Sequence, residues 1–141
     1  PLLYLSLYLK QHRSRYYELL QSVRTGGDWE EWIEFFLEGI VTVATRAAGT
    51  TQRLLALFQG HQQQVRGLGR LTSSALRLMD HLQRHPVTTA TAAASATGMS
   101  FHTAQRAFAA LQSLHIAAEG SGKKYGRFYT YSGCLEILNE E

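Results

Sequence analysis

Cysteine is almost missing from this chain. Cys134 stands alone in 141 residues, which excludes an intrachain disulfide framework and agrees with a reducing, cytoplasmic setting. There are only two prolines, Pro1 and Pro86. Pro1 suits the first turn of a helix, and Pro86 stops one, because the residue before proline is pushed away from helix. No apolar run reaches the ~20 residues that a membrane helix needs, so no membrane partner is expected. The start, Pro1 to Lys10, has neither a basic leader nor a small-residue cleavage site. Charge is also sparse, at 18% of residues and a net +3. That is too little for bulk adhesion to nucleic acid, and any basic footprint must be local. The chain begins at Pro1 rather than Met and reads as part of something longer.

What is present centres on Gly98 to Leu114. Gly98 suits a tight turn because it takes φ > 0 at no steric cost. Ser100 is a favoured N-cap. Ala104, Ala107, Phe108, Leu111 and Leu114 then recur at helical spacing as one apolar stripe, with His102, Thr103, Gln105 and Arg106 on or beside the opposite face. The Ala-rich run Thr91 to Thr97 precedes the turn, and its small side chains allow two helices to approach closely. Helix, glycine turn and helix form a helix-turn-helix pattern. Ile116 to Glu119 and Arg127 to Tyr131 read as two short strands of a hairpin punctuated by Gly120, Gly122 and Gly126. The whole reads as a winged helix. Between Gly98 and Arg127 lie Arg106, Lys123, Lys124 and Arg127 against Glu119 alone.

Upstream, the patterning is helical. Leu2 to Leu9 reads as a short buried helix, followed by a polar break at Gln11 to Arg13. Ser14 is the expected cap of a second helix, which Thr25-Gly26-Gly27 ends. Asp28 and Glu31 have capping-box spacing and open the longest periodic segment. In it Trp29, Trp32, Ile33, Phe36, Leu37, Ile40 and Val43 follow i, i+3, i+4, i+7. Its tryptophans and phenylalanines are expected mainly in the core. Glu30, Glu31, Glu34 and Glu38 occupy the other side. Gly49 either breaks or kinks this helix, and Thr50 or Thr51 restarts it. Gly67 to Arg70 reads as a linker, Ser73 or Ser74 as the cap of the next helix, and Cys134 to Leu138 as a final helix.

Several N-terminal blocks together resemble the Fic family. They are Pro1-Leu2-Leu3-Tyr4-Leu5-Ser6-Leu7-Tyr8, Arg13-Ser14-Arg15-Tyr16-Tyr17-Glu18-Leu19-Leu20, Val23-Arg24, Gly27-Asp28-Trp29-Glu30-Glu31-Trp32 and Phe35-Phe36-Leu37-Glu38-Gly39. They are similar to the Fic segment just after the catalytic loop, and the winged helix after a linker fits one Fic subtype. The resemblance implies a mainly α fold. Residues 1–66 would be the C-terminal helices of a Fic core plus a linker helix, and residues 72–141 a winged helix-turn-helix domain. It implies a parent protein that transfers AMP from ATP, with Mg²⁺, to hydroxyls of target proteins. By resemblance, Tyr16, Tyr17 and Arg24 fall at the nucleotide pocket. The family's loop, His-Pro-Phe-x-x-Gly-Asn-Gly-Arg, does not occur here, since His85-Pro86 continues as Val87. Without that base and phosphate cradle no catalysis, no catalytic residue and no cofactor are expected of this piece itself.

Other chemistry has bland readings. His81 and His85 are i, i+4 but lack further ligands, so they read as solvated histidines near a helix end, and no metal site is expected. Cys134 reads as a small buried hydrophobe rather than a nucleophile paired with His115. Gly120-Ser121-Gly122-Lys123-Lys124 lacks the full phosphate-loop spacing. Two functions stay open for the winged helix. One is protein interaction, dimerisation or target recruitment, with a homodimer expected from uncovered apolar surface. The other is binding double-stranded DNA, with Ser100, His102, Thr103, Gln105 and Arg106 toward the groove and Lys123, Lys124 and Arg127 on phosphates.

Overall fold

A computed structural model describes residues 4–120 and 127–140. The chain is mainly helical with one small antiparallel sheet, and it divides into two compact units, Pro1–Gln52 and Arg53–Glu141. The division falls inside a helix, upstream of the linker read at Gly67 to Arg70.

The first unit contains α1 (Leu5–Gln11), α2 (Arg13–Gly26) and the first part of α3 (Trp29–Arg66). None of α1 is fully buried, contrary to the buried helix expected. The polar break shrinks to His12, which ends α1 and begins α2, so Ser14 lies inside the first turn rather than capping it. The turn into α3 uses Gly27 in the left-handed region, at φ 77°. The two carboxylates of the expected capping box reach back to α2. Asp28 accepts from Ser22 Oγ at 2.8 Å, and Glu31 pairs with Arg15 at 3.1 Å. Glu30 and Glu31 still occupy the first turn, where the helix dipole favours acids.

No break occurs at Gly49, and α3 runs for 38 residues. Thr51, read as a restart, donates its hydroxyl to the Ala47 carbonyl one turn back at 2.8 Å. Phe35 is buried, but Trp32 and Phe36 are only half-buried and Trp29 is exposed, against the core placement expected for these aromatics. The reason is geometric. This half of α3 is apolar around most of its circumference, and two short helices cover only one side.

The glycines of α3 differ in what surrounds them. A Cβ on Gly39 would stand 2.7 Å from the Tyr8 ring, whereas nothing lies within 4 Å of one on Gly49 or Gly60. Overpacking costs about 1–3 kcal/mol, and alanine gains roughly 1 kcal/mol over glycine inside a helix. We therefore expect Gly49→Ala and Gly60→Ala each to stabilise by about 0.5–1 kcal/mol, and Gly39→Ala to destabilise despite its better propensity. Chemical denaturation of the three variants checks the sign in each case.

The second unit contains the last turns of α3, a 3-10 turn at Gly69–Leu71, α4 (Thr72–Arg84), β1 (Val87–Thr89), α5 (Ala90–Thr97), α6 (Phe101–Ser113), β2 (Ala118–Glu119), β3 (Phe128–Thr130) and α7 (Ser132–Asn139). The cap of α4 is Leu71, with no side-chain bond. Ser74 instead donates to the Leu71 carbonyl at 3.0 Å. The sheet has order β1-β3-β2, antiparallel throughout. Its first strand, just after Pro86, went unread in the sequence. Thr88 pairs with Tyr129 and Thr89 with Phe128. One cluster forms the core, with Val65, Leu78, Met79, Leu82, Phe108, Leu111, Ile116, Tyr129 and Tyr131 among its members. Phe108 stacks on Tyr129 with ring centroids 3.9 Å apart.

Candidate functional site

The face presented by α6 is built from the turn before it. Gly98 adopts φ 65°. Its N–H bonds the Ser95 carbonyl at 3.3 Å while Met99 N–H bonds that of Ala94 at 3.0 Å, the paired pattern that closes a helix around a left-handed residue. Ser100 then caps α6, accepting from the Thr103 N–H at 3.2 Å. Buried Ala90, Ala93 and Ala94 of α5 give a low surface on which Ala104, Ala107, Phe108 and Leu111 of α6 are buried. The opposite side follows by helical geometry: Phe101, His102, Gln105, Arg106 and Ala109 are exposed.

The DNA-contact candidates therefore separate into groups. His102, Gln105 and Arg106 share an exposed face. Ser100 and Thr103 are engaged with each other, their hydroxyls 2.9 Å apart. Arg127 pairs with Glu119, Nε to Oε1 at 3.4 Å, so part of its charge is answered within the hairpin. Lys123 and Lys124 lie outside the described residues. The face carries one formal charge, Arg106, beside an apolar ring, Phe101, that is 50% exposed.

The nucleotide-pocket candidates lie on α2. Tyr16 is half-buried and Tyr17 exposed, with their rings edge to face at 5.4 Å. The Arg13 guanidinium lies 5.5 Å from the Tyr17 ring centre. Arg24 lies in the last turn, two turns beyond Tyr17, so the helix alone separates them by about 10 Å.

Three features escaped the sequence reading. First, Tyr131 is fully buried and its hydroxyl lies 2.7 Å from Nδ1 of His61. Burial pushes the Tyr131 phenol up, with the Cys134 thiol adding to the effect, and pushes His61 down. Nothing in the local sequence joins residues seventy positions apart. Second, His81 is not simply solvated. It is half-buried, with Nε2 3.2 Å from the Thr88 hydroxyl and its ring 4.9 Å from that of His85. Burial and then the charge of His85 push it down. Third, Arg77, Asp80, His81, Arg84, His85, Ala96 and Thr97 line a polar pocket of 420 Å³ at the ends of α4 and α5. Arg77 donates there to the Thr97 carbonyl. Among the described residues no group of three or more His, Cys, Asp or Glu could hold a metal. Cys134 is buried and its thiol pushed up by burial, while His115 is exposed.

The two lowered histidines fix a pH dependence. Their folded pKa values lie below the ordinary 6.5, so the unfolded chain takes up protons first as pH falls. Stability is then present above about pH 6.5 and declines as pH drops through and below that value. Thermal melts at pH 7.5, 6.5 and 5.5 should fall in that order, and His61→Gln with His81→Gln should flatten the trend. An unchanged slope in the double variant would assign the effect elsewhere.

No protein-family model matches the chain. Among the described residues no helix is long and apolar enough to cross a membrane.

Proposed function

We propose that this chain is the C-terminal portion of a Fic-family protein adenylyltransferase, and that its second unit is a winged helix used to bind other proteins. The observation that supports the Fic reading is that several residues of the resemblance, among them Tyr8, Phe35 and Gly39, meet one another in the first unit. The Tyr8 and Phe35 rings lie 5.6 Å apart, and Gly39 leaves the room that the Tyr8 ring fills. Arg15 to Glu31 and Ser22 to Asp28 tie α2 to the start of α3.

On this reading the parent protein works in the cytoplasm and transfers AMP from ATP, with Mg²⁺, to protein hydroxyls. The present chain supplies no general base for that step. Tyr16, Tyr17 and Arg24 would border the nucleotide. The second unit recruits a target protein or a second copy through α6, because a face with one charge and an exposed phenylalanine suits a protein better than a phosphate backbone. A second reading, DNA recognition, draws on the common exposure of His102, Gln105 and Arg106.

Two experiments test this. The coding sequence upstream of Pro1 should contain the His-Pro-Phe-x-x-Gly-Asn-Gly-Arg loop, and its absence would sink the Fic assignment. Fluorescence anisotropy with mixed duplex DNA at low salt should show no salt-dependent binding. Binding abolished by Arg106→Ala would replace protein recruitment with DNA reading.

A further inference from the structure

The N-terminal half of α3 has a second apolar face that the first unit does not use. Trp29, Ile33, Leu37, Ile40 and Val41 recur at i, i+4, i+8, i+11 and i+12 and are all exposed, Val41 by 64% and Trp29 by 58%. On a helical wheel they span about 120°, the arc a helix ordinarily turns toward a core. The opposite side of the same helix already buries Phe35. A helix apolar on both sides is built to be covered on both sides, and a contiguous exposed apolar patch rimmed by polar residues marks an interaction surface.

The charge beside the patch says what covers it. Glu30, Glu34 and Glu38 follow at i, i+4 and i+8, exposed along one edge of the apolar arc. Together with Ile33, Leu37, Val41 and Tyr8 they line a groove of 730 Å³. These three glutamates make no ion pair among the described residues, while Glu31 is the acid held by Arg15. We infer that the groove is a docking site for an amphipathic helix with an apolar stripe flanked on one side by lysine or arginine. Its stripe would lie on Ile33, Leu37 and Val41, and its cations would meet the glutamate ridge. A second copy fits poorly. From Trp29 to Thr45 the helix has four glutamates and no lysine or arginine. An antiparallel copy would set the two ridges against each other, and like charges so placed repel.

The test uses the whole chain and three labelled helical peptides. One has a leucine stripe with a lysine flank. One has the same stripe with a glutamate flank. One keeps the lysines but replaces the stripe with serine. Peptide anisotropy measures affinity, and a blue shift of tryptophan emission reports cover over Trp29. The lysine-flanked peptide should bind at least about tenfold tighter than the glutamate-flanked one at low salt, as three exposed pairs allow. The difference should shrink with added salt. Glu34→Lys with Glu38→Lys should reverse the preference, and Leu37→Ser should weaken all binding while helicity by circular dichroism stays unchanged. Equal affinity for the two charged flanks would overturn the inference. So would binding of the serine peptide as tight as the leucine one, or no binding at all. A stable dimer in sedimentation that excludes the peptides would also overturn it, by making a second copy the occupant.

Discussion

Phe108→Ala should destabilise the second unit by about 3–5 kcal/mol, the range for removing a fully buried aromatic side chain. Phe108 has no exposed surface. Its ring lies nearly parallel to that of Tyr129, tilted by 15° with centroids 3.9 Å apart. It is therefore the point at which α6 is fixed to the middle strand of the sheet. The cavity left by alanine cannot collapse easily, because Phe108 belongs to a cluster whose Leu78, Leu82 and Leu111 are themselves fully buried. The loss is a large share of the 5–15 kcal/mol that typically holds a domain together. Phe101→Ala, on the exposed side of the same helix, should change stability by no more than about 0.5 kcal/mol. Guanidinium denaturation followed by far-UV circular dichroism measures both. A Phe108→Ala loss below about 1 kcal/mol would mean that α6 is held by something other than this stack. The pair also separates structure from function, since Phe101→Ala leaves the fold intact while altering the proposed protein-binding face.

Much of the second unit was legible in the sequence because its signals are local. Gly98 and Ser100 mark the turn and the cap that the structure uses. Of the stripe Ala104, Ala107, Phe108, Leu111 and Leu114, all are buried but Leu114, the half-buried C-cap, since a 3.6-residue period places a helix face directly. What could not be read depends on residues far apart. β1 has three residues and exists as a strand because it pairs with β3 some forty residues later. The His61–Tyr131 bond likewise joins distant segments. The caps depart from the expected Ser14 and Ser73 or Ser74 because each helix starts earlier than its first serine: α1 ends at Gln11 and leaves only His12 before α2, and the 3-10 turn at Gly69–Leu71 runs straight into α4. For the candidate site, the wheel put His102, Thr103, Gln105 and Arg106 on the outer face, and all but the half-buried Thr103 are exposed. The Arg127–Glu119 pair did not follow from the wheel, because it spans a hairpin. In the first unit the period located the start of α3, but neither its unbroken run through Gly49 nor its two-sidedness followed from it. Periodicity identifies apolar positions without saying how many neighbours are there to cover them.

That shortage of neighbours sets the second large expectation. Leu19 is the one buried residue of α2 among the described residues, 1% exposed, and Phe35 is the only large buried side chain of α3 within the first unit. With so small a core, Leu19→Ala should cost about 2–5 kcal/mol, enough to release α2 from α3. Both tryptophans of the chain, Trp29 and Trp32, lie in this unit. Tryptophan emission should therefore report the loss directly, as a red shift of the half-buried Trp32 and an earlier denaturation midpoint. Leu37→Ala is the control. Leu37 is 53% exposed on the glutamate-edged face, so its truncation should move the midpoint by no more than about 0.5 kcal/mol. Equal losses for the two variants would mean that the second face of α3 is already covered in solution, and the docking groove would be occupied rather than open. A large loss for Leu19→Ala with little change for Leu37→Ala places the stability of the unit on the α2 side. The apolar arc is then free to serve binding, because removing its side chains costs the fold almost nothing.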